Sequence, residues 1–267
     1  MNRRRFIATT AAAAAVTGLT STLSPVMAAD SSQNVKPEYY EWRTYSLKSL
    51  AQLELVERHW AKAAIPALNR LGIKSVGAFR EQTPSEAPKF YALIPYTSLE
   101  QFHSVNAKLL SDAQYLKDGA EYLGADPKAP AYERIESTLM EAFAGMPKLE
   151  VPKRLGQPRM FVLRTYQNPN EPAGKKKIEM FDTAEIDIFR RTGLTPVFFG
   201  ETIIGADRPN LTYLLVFKDM ADHDQSWNTF RTHPDWLKLK AIPEYADAKL
   251  VSKIVKTFLV PASGSQI

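Results

Sequence analysis

Across 267 residues the chain is 45% hydrophobic and 24% charged, with 12 Gly, 18 Pro and no Cys, which excludes disordered, collagen-like and disulfide-stapled proteins. The lack of cysteine also removes thiolate nucleophiles, iron–sulfur clusters and cysteine-bound zinc. The formal charge is +5, but removing Arg3, Arg4 and Arg5 from the 34 basic residues leaves 31 against 29 acidic ones, so a net +2 no longer argues for a nucleic-acid partner.

Residues 1–29 read as an export signal. Arg3-Arg4-Arg5-Phe6-Ile7 supplies a charged region, residues 8–19 a weakly apolar run of small residues, and Val26-Met27-Ala28-Ala29 a small-residue cleavage pattern. The paired arginines followed by Phe6 resemble the bacterial twin-arginine (Tat) class. Thr9, Thr10, Thr17, Thr20, Ser21 and Thr22 interrupt the run and argue against a membrane anchor. The reading predicts a bacterial periplasmic or secreted protein whose mature chain starts near Ala29 and carries no membrane span.

Residues 38–46 alternate in face and predict a strand. Leu53, Val56, Trp60, Ala64 and Leu68 recur at helical spacing, Gly72 marks a helix end, and Pro66 predicts a kink or restart shortly before it. Strands follow at 73–80 and 90–96. Thr97 or Ser98 caps a helix carrying Leu99, Phe102, Val105 and Leu109, and an apolar strand at 135–143 ends the series. The order strand, helix, strand, strand, helix, strand is the ferredoxin-like pattern.

That series is repeated. Arg43-Thr44-Tyr45 returns as Arg164-Thr165-Tyr166 at an offset of 121, and Leu71-Gly72-Ile73 meets Thr192-Gly193-Leu194 at the same offset. The apolar run at 91–96 is matched to 213–217 with one residue inserted. Units are therefore expected at 36–145 and 158–261, joined by a proline-containing linker at 146–157. Each four-stranded sheet would leave one face bare, so the two units are expected to pack sheet to sheet. The fold class is α+β, an intramolecular version of a dimeric α/β barrel.

The aromatic-E/V-x-R-x-Y strand, the helix ending L-x-R-x-G-I/L, Gly77 in the next strand, and His233-Pro234-Asp235-Trp236 after a helix containing Trp227 together resemble the NIPSNAP family, over nearly all of residues 38–260. The resemblance implies the dimeric α/β-barrel superfamily, whose members elsewhere include cofactor-free monooxygenases and haem enzymes. It supplies no catalytic residues. In the first half a longer helix-like stretch, 113–123, stands where the second half has its D-P-x-W-like segment.

His59, His103, His223 and His233 lie at no spacing that builds a local metal pair, and there is no G-x-S-x-G, P-loop or dinucleotide fingerprint. No metal, cofactor or catalytic residue is therefore assigned. Alternation puts Glu41, Arg43 and Tyr45 on one strand face and Tyr40, Trp42 and Thr44 on the other. An arginine among aromatic groups inside a barrel would hold a carboxylate or phenolate. The candidate ligand-binding residues are thus Arg43, Tyr45, Arg164, Tyr166 and Glu41, with Val162 replacing Glu41 in the second copy. The competing reading is structural, with Arg43 paired to Glu41 or another strand's carboxylate. Trp60, Phe102, Trp227, Phe230 and Trp236 read as core or interface. The expected function is non-catalytic binding of a small or aromatic ligand, a protein partner or a second copy of the chain. The alternative is a cofactor-independent or haem-assisted oxidoreductase.

Overall fold

The computed structural model describes residues 35–83, 85–153 and 158–267. The signal reading at 1–29 and the end of the linker lie outside the described residues. The first half runs β1 (Tyr39–Ser46), α1 (Leu50–His59), a π-helical turn (Trp60–Ala64), α2 (Ile65–Arg70), β2 (Gly77–Glu81), β3 (Lys89–Tyr96), α3 (Leu99–Leu110), α4 (Ala113–Asp118), α5 (Ala120–Leu123) and β4 (Arg134–Ala142). The second runs β5 (Met160–Gln167), α6 (Glu171–Met180), a π-helical turn (Phe181–Glu185), α7 (Ile186–Arg191), β6 (Thr195–Ile204), β7 (Asn210–Phe217), α8 (Met220–Thr232), α9 (Pro234–Lys240), α10 (Asp247–Leu250) and β8 (Lys253–Pro261).

The strands close into one barrel in the order β1-β3-β2-β8-β5-β7-β6-β4, antiparallel throughout. Each half supplies four adjacent strands, with the seams at β2–β8 and β4–β6. The seams are short, three and four register pairs, whereas β1–β3 and β5–β7 each have eight. The halves are therefore joined chiefly by the barrel interior, where Tyr40, Trp42, Phe79 and Tyr91 meet Phe161, Phe198, Leu214 and Leu259.

Local signals fix the elements. Ser98, rather than Thr97, caps α3, its hydroxyl accepting from the Gln101 amide while the Gln101 side chain accepts from the Thr97 amide. Gly72 and Gly193 stop their helices with φ of 81° and 88°, the left-handed conformation a side chain disfavours. In His233-Pro234-Asp235-Trp236, His233 Nδ1 accepts from the Asp235 amide and Pro234 starts α9. Asp235 pairs with Arg191, and the Trp236 ring lies 4.4 Å from that of Phe230.

The helix restarts where expected, with Pro66 in the first turn of α2, although the π-helical turn ahead of it does not need proline, since the second half carries the same turn 121 residues on with Asp187 in that place. One expectation is corrected. The match of 91–96 to 213–217 with an inserted residue fails. Glu41 pairs with Ile94 and Val162 with Leu215, a separation of 53 in both halves. The offset therefore stays at 121, and Tyr213 is the counterpart of Ala92 rather than Tyr91. Among the described residues no helix is long and apolar enough to cross a membrane.

Candidate functional site

Alternation on β1 is as the sequence predicts, but the polar face does not look into the barrel. Tyr40 and Trp42 fill the interior, while Tyr45 joins the core beneath the helices. Arg43 accordingly lies on the helix-covered side, not inside the barrel. Arg164 and Tyr166 hold the same place on β5, which lies four positions from β1 around the ring. The five sequence-selected residues thus form two separate clusters.

The first cluster is internally satisfied. Arg43 Nε and Nη2 donate to the two Glu41 oxygens at 2.6 and 3.0 Å, Tyr96 Oη donates to Glu41 at 2.8 Å, and Ser137 Oγ at 2.7 Å. Burial alone would push the Glu41 carboxyl up, yet Arg43 and the two hydroxyls hold it below the usual carboxylate value. The space beside it is taken by rings. Tyr45 packs edge-on against Trp60, Phe90 and Tyr132, and Tyr122 of α5 stacks between His59 and Tyr132. The longer stretch at 113–123 is the source of Tyr115 and Tyr122, so it fills the first cluster's surroundings.

In the second cluster the tyrosine beside the arginine is kept, as Tyr166, but Glu41 and both of its hydroxyl donors have been replaced. Strand register makes Val162 the counterpart of Glu41, Phe217 of Tyr96 and Lys256 of Ser137. The carboxylate and both of its hydroxyl donors are absent, and a second cation stands across from the arginine. Arg164 is 7% exposed, donates from Nη2 to Tyr166 Oη at 2.9 Å, and lies 4.4 Å above the Trp227 ring. Its Nε has no hydrogen-bond acceptor in the protein, nor does Trp227 Nε1. Tyr213, buried completely, donates to Tyr166 Oη at 3.0 Å. Tyr166 Oη therefore accepts two bonds and keeps its own hydrogen unspent.

These groups line a cavity of about 260 Å³ between β5, β8 and the helices. Trp227, Phe230 and Trp236 form apolar walls. Lys177 and Glu185, both almost wholly buried, form an ion pair at 3.3 Å, and Lys177 reaches Asp247 at 3.3 Å. Burial would lower the Lys177 ammonium, but Glu185 and Asp247 outweigh it and raise it. Burial raises Glu185 in spite of the neighbouring Lys177. The Lys256 ammonium is lowered, first by the charge of Arg164 and then by burial. Four side-chain cations, Arg164, Lys177, Arg231 and Lys256, thus face the carboxylates of Glu185 and Asp247, a formal +2 before His223 is counted.

Sequence reading missed Lys177, Glu185 and Lys256. Lys177 hides in a run of three lysines that reads as a solvated helix face. Counting back 121 would have exposed it, since Lys177 and Glu185 replace Val56 and Ala64, both in the first half's apolar core. Trp227 and Phe230 are core residues, as expected, and are also cavity walls. Among the described residues no group of three or more His, Asp or Glu could hold a metal ion.

The chain belongs to the NIPSNAP family, whose model matches residues 40–140 and again 161–266. None of the curated protein sequences matches it. Two solved structures span most of the chain: proteins from Fusobacterium nucleatum and Lactobacillus acidophilus, each named as a proposed monooxygenase. The first is 9% identical, covers 85% of this chain and 93% of its own, and superposes with a TM-score of 0.55. For the second the values are 8%, 86%, 98% and 0.56. A NIPSNAP-like domain protein from Burkholderia xenovorans, 19% identical, covers 39% of this chain and 86% of its own with a TM-score of 0.35. For the two structures that span most of the chain, the likeness at these identities is one of fold.

Proposed function

We propose that this NIPSNAP protein is an exported, non-catalytic binding protein that holds a small organic anion with an aromatic or apolar body in the cavity of its second half. In this reading each half is a ferredoxin-like unit, and the tandem copy closes the barrel within one chain. The strand order supports that reading, with each half contributing β2-β3-β1-β4 or its equivalent. The observation that carries the function is the coordinated exchange of Glu41, Tyr96 and Ser137 for Val162, Phe217 and Lys256, which leaves Arg164 a buried cation with no carboxylate at its side as Glu41 is to Arg43, the charge of Glu185 acting on it only at longer range. A permanent guanidinium in a low-dielectric pocket attracts an anion far more strongly than one in water. The monooxygenase reading draws only on shared fold, which does not transfer chemistry between proteins.

Calorimetric titration with benzoate tests the reading. The wild type binds saturably, Arg43→Met binds as the wild type does where it folds, and Arg164→Met weakens binding at least about tenfold, the loss of one charge-assisted hydrogen bond. Absence of saturable binding by benzoate and by short aliphatic carboxylates alike refutes it. Export rests on residues 1–29, and N-terminal sequencing of exported protein is expected to start at Ala29 or Asp30. Replacing Arg3, Arg4 and Arg5 together by Lys is expected to retain the precursor inside the cell.

A further inference from the structure

Resting on that binding reading, we infer that the second-half cavity selects small aromatic dianions over monoanions, with Lys256 as the residue that reads the second negative charge. Lys177 is already balanced by Glu185 and Asp247, each at 3.3 Å, so it has least to offer an incoming anion. The charges left over are Arg164, deep and 7% exposed, and Lys256 and Arg231 on the outer side. Arg164 and Lys256 face each other directly across β5 and β8. Side chains so placed lie close together on one face of the sheet, and like charges there destabilise the pair.

The fold does not require that repulsion. At the same register position the first half carries Ser137, whose hydroxyl serves Glu41. Lys256 stands where the strand pairing tolerates a neutral residue, and its ammonium is depressed by Arg164. A ligand with one anionic group, placed deep, pairs with Arg164 and eases its repulsion of Lys256, but leaves the Lys256 ammonium without a counter-charge of its own. A ligand with two anionic groups, one deep and one at the rim, neutralises both. The walls Trp227, Phe230 and Trp236 suit a flat ring between the two charges. A cavity of about 260 Å³ lies below the roughly 300 Å³ at which drug-sized pockets begin, so the occupant is of the size of a single substituted ring.

The test is a titration series at fixed ionic strength with benzyl alcohol, benzoate and the three benzenedicarboxylates, on the wild type, Lys256→Gln and Arg164→Met. We expect at least one dicarboxylate to bind ten times or more tighter than benzoate, and benzyl alcohol more weakly than either. In Lys256→Gln the ratio of dicarboxylate to benzoate affinity is expected to fall to threefold or less, whatever the change in benzoate affinity itself. Arg164→Met is expected to weaken both acids. If benzoate binds and every dicarboxylate binds equally or more weakly, the dianion inference is overturned while the binding reading stands. If the advantage survives intact in Lys256→Gln, Lys256 is not the reader. If none of these acids binds, the dianion inference is overturned, and the binding reading falls with it where the short aliphatic carboxylates do not bind either.

Discussion

Arg43→Met and Arg164→Met delete chemically identical groups from equivalent strand positions, yet they should differ sharply in stability. Removing Arg43 strands the Glu41 carboxylate, 3% exposed, with only the Tyr96 and Ser137 hydroxyls as donors. Breaking a buried ion pair by removing one partner costs about 3–5 kcal/mol. Removing Arg164 breaks no ion pair, since Val162 stands in place of Glu41; it takes one distant cation from Glu185, which keeps Lys177, and it relieves the repulsion on Lys256. The loss of the guanidinium from the Trp227 face is worth about 0.5–2 kcal/mol, partly offset by that relief and by the packing of the methionine. For a protein of this size, about 2–4 °C per kcal/mol puts Arg43→Met roughly 6–20 °C below wild type and Arg164→Met within a few degrees. Scanning calorimetry and urea titrations at pH 7 measure both. At pH 5 the Arg43→Met deficit should narrow, because a carboxyl released from its cation and still buried takes up a proton more readily. Equal drops for the two variants, or a larger one for Arg164→Met, would refute the idea that the second arginine is unpaired by design of the fold.

The triple change Val162→Glu, Phe217→Tyr and Lys256→Ser should rebuild the first-half cluster in the second half; it is expected to raise the melting temperature relative to Val162→Glu alone and to abolish anion binding in a titration. His59 is lowered to about 4 by burial, so it stays neutral in the fold while the unfolded chain protonates below about 6.5. It therefore contributes stability above that pH and loses it as pH falls towards 4. Comparing urea unfolding of wild type and His59→Phe at pH 7 and pH 4.5 should show the wild type losing about 2–3 kcal/mol more than the variant, and parallel losses would count against it. Cleavage of the chain within 146–153 should leave the two pieces associated and cooperatively folded on a sizing column, while each half made alone self-associates, because the barrel interior is shared between them.

The duplication was legible because strand β1 and strand β5 repeat Arg-Thr-Tyr in the same register, and because Gly72 and Gly193 sit at matching left-handed helix ends. Alternation also sorted the β1 side chains correctly into two faces. It could not say which face the helices cover, since Tyr40 and Trp42 are as fit for a barrel interior as Tyr45 is for a helix interface. The π-helical turns were hidden for a different reason. They arise from a shift in backbone pairing that leaves apolar spacing nearly intact, so Pro66 marks the restart of the helix but not the turn ahead of it. The cavity was hardest of all. Its contributors Lys177, Glu185 and Lys256 come from two helical segments and a strand, and each by itself reads as solvated surface.

Two copies of one unit need not share one task, and the differences here fall together rather than at random. In the first half the carboxylate, its two hydroxyl donors and the arginine satisfy one another, and Tyr122 and Tyr132 crowd the neighbouring space. In the second the carboxylate is a valine, one donor a phenylalanine and the other a lysine, while a buried Lys177–Glu185 pair replaces Val56 and Ala64. Drift towards stability would replace a lost carboxylate's arginine with something neutral, since a buried cation without a partner is costly. Instead the arginine is retained, stacked on Trp227, and a second cation is placed across from it. A tandem barrel allows this division, with one half bearing an ion cluster that the fold completes and the other bearing one that a ligand would complete.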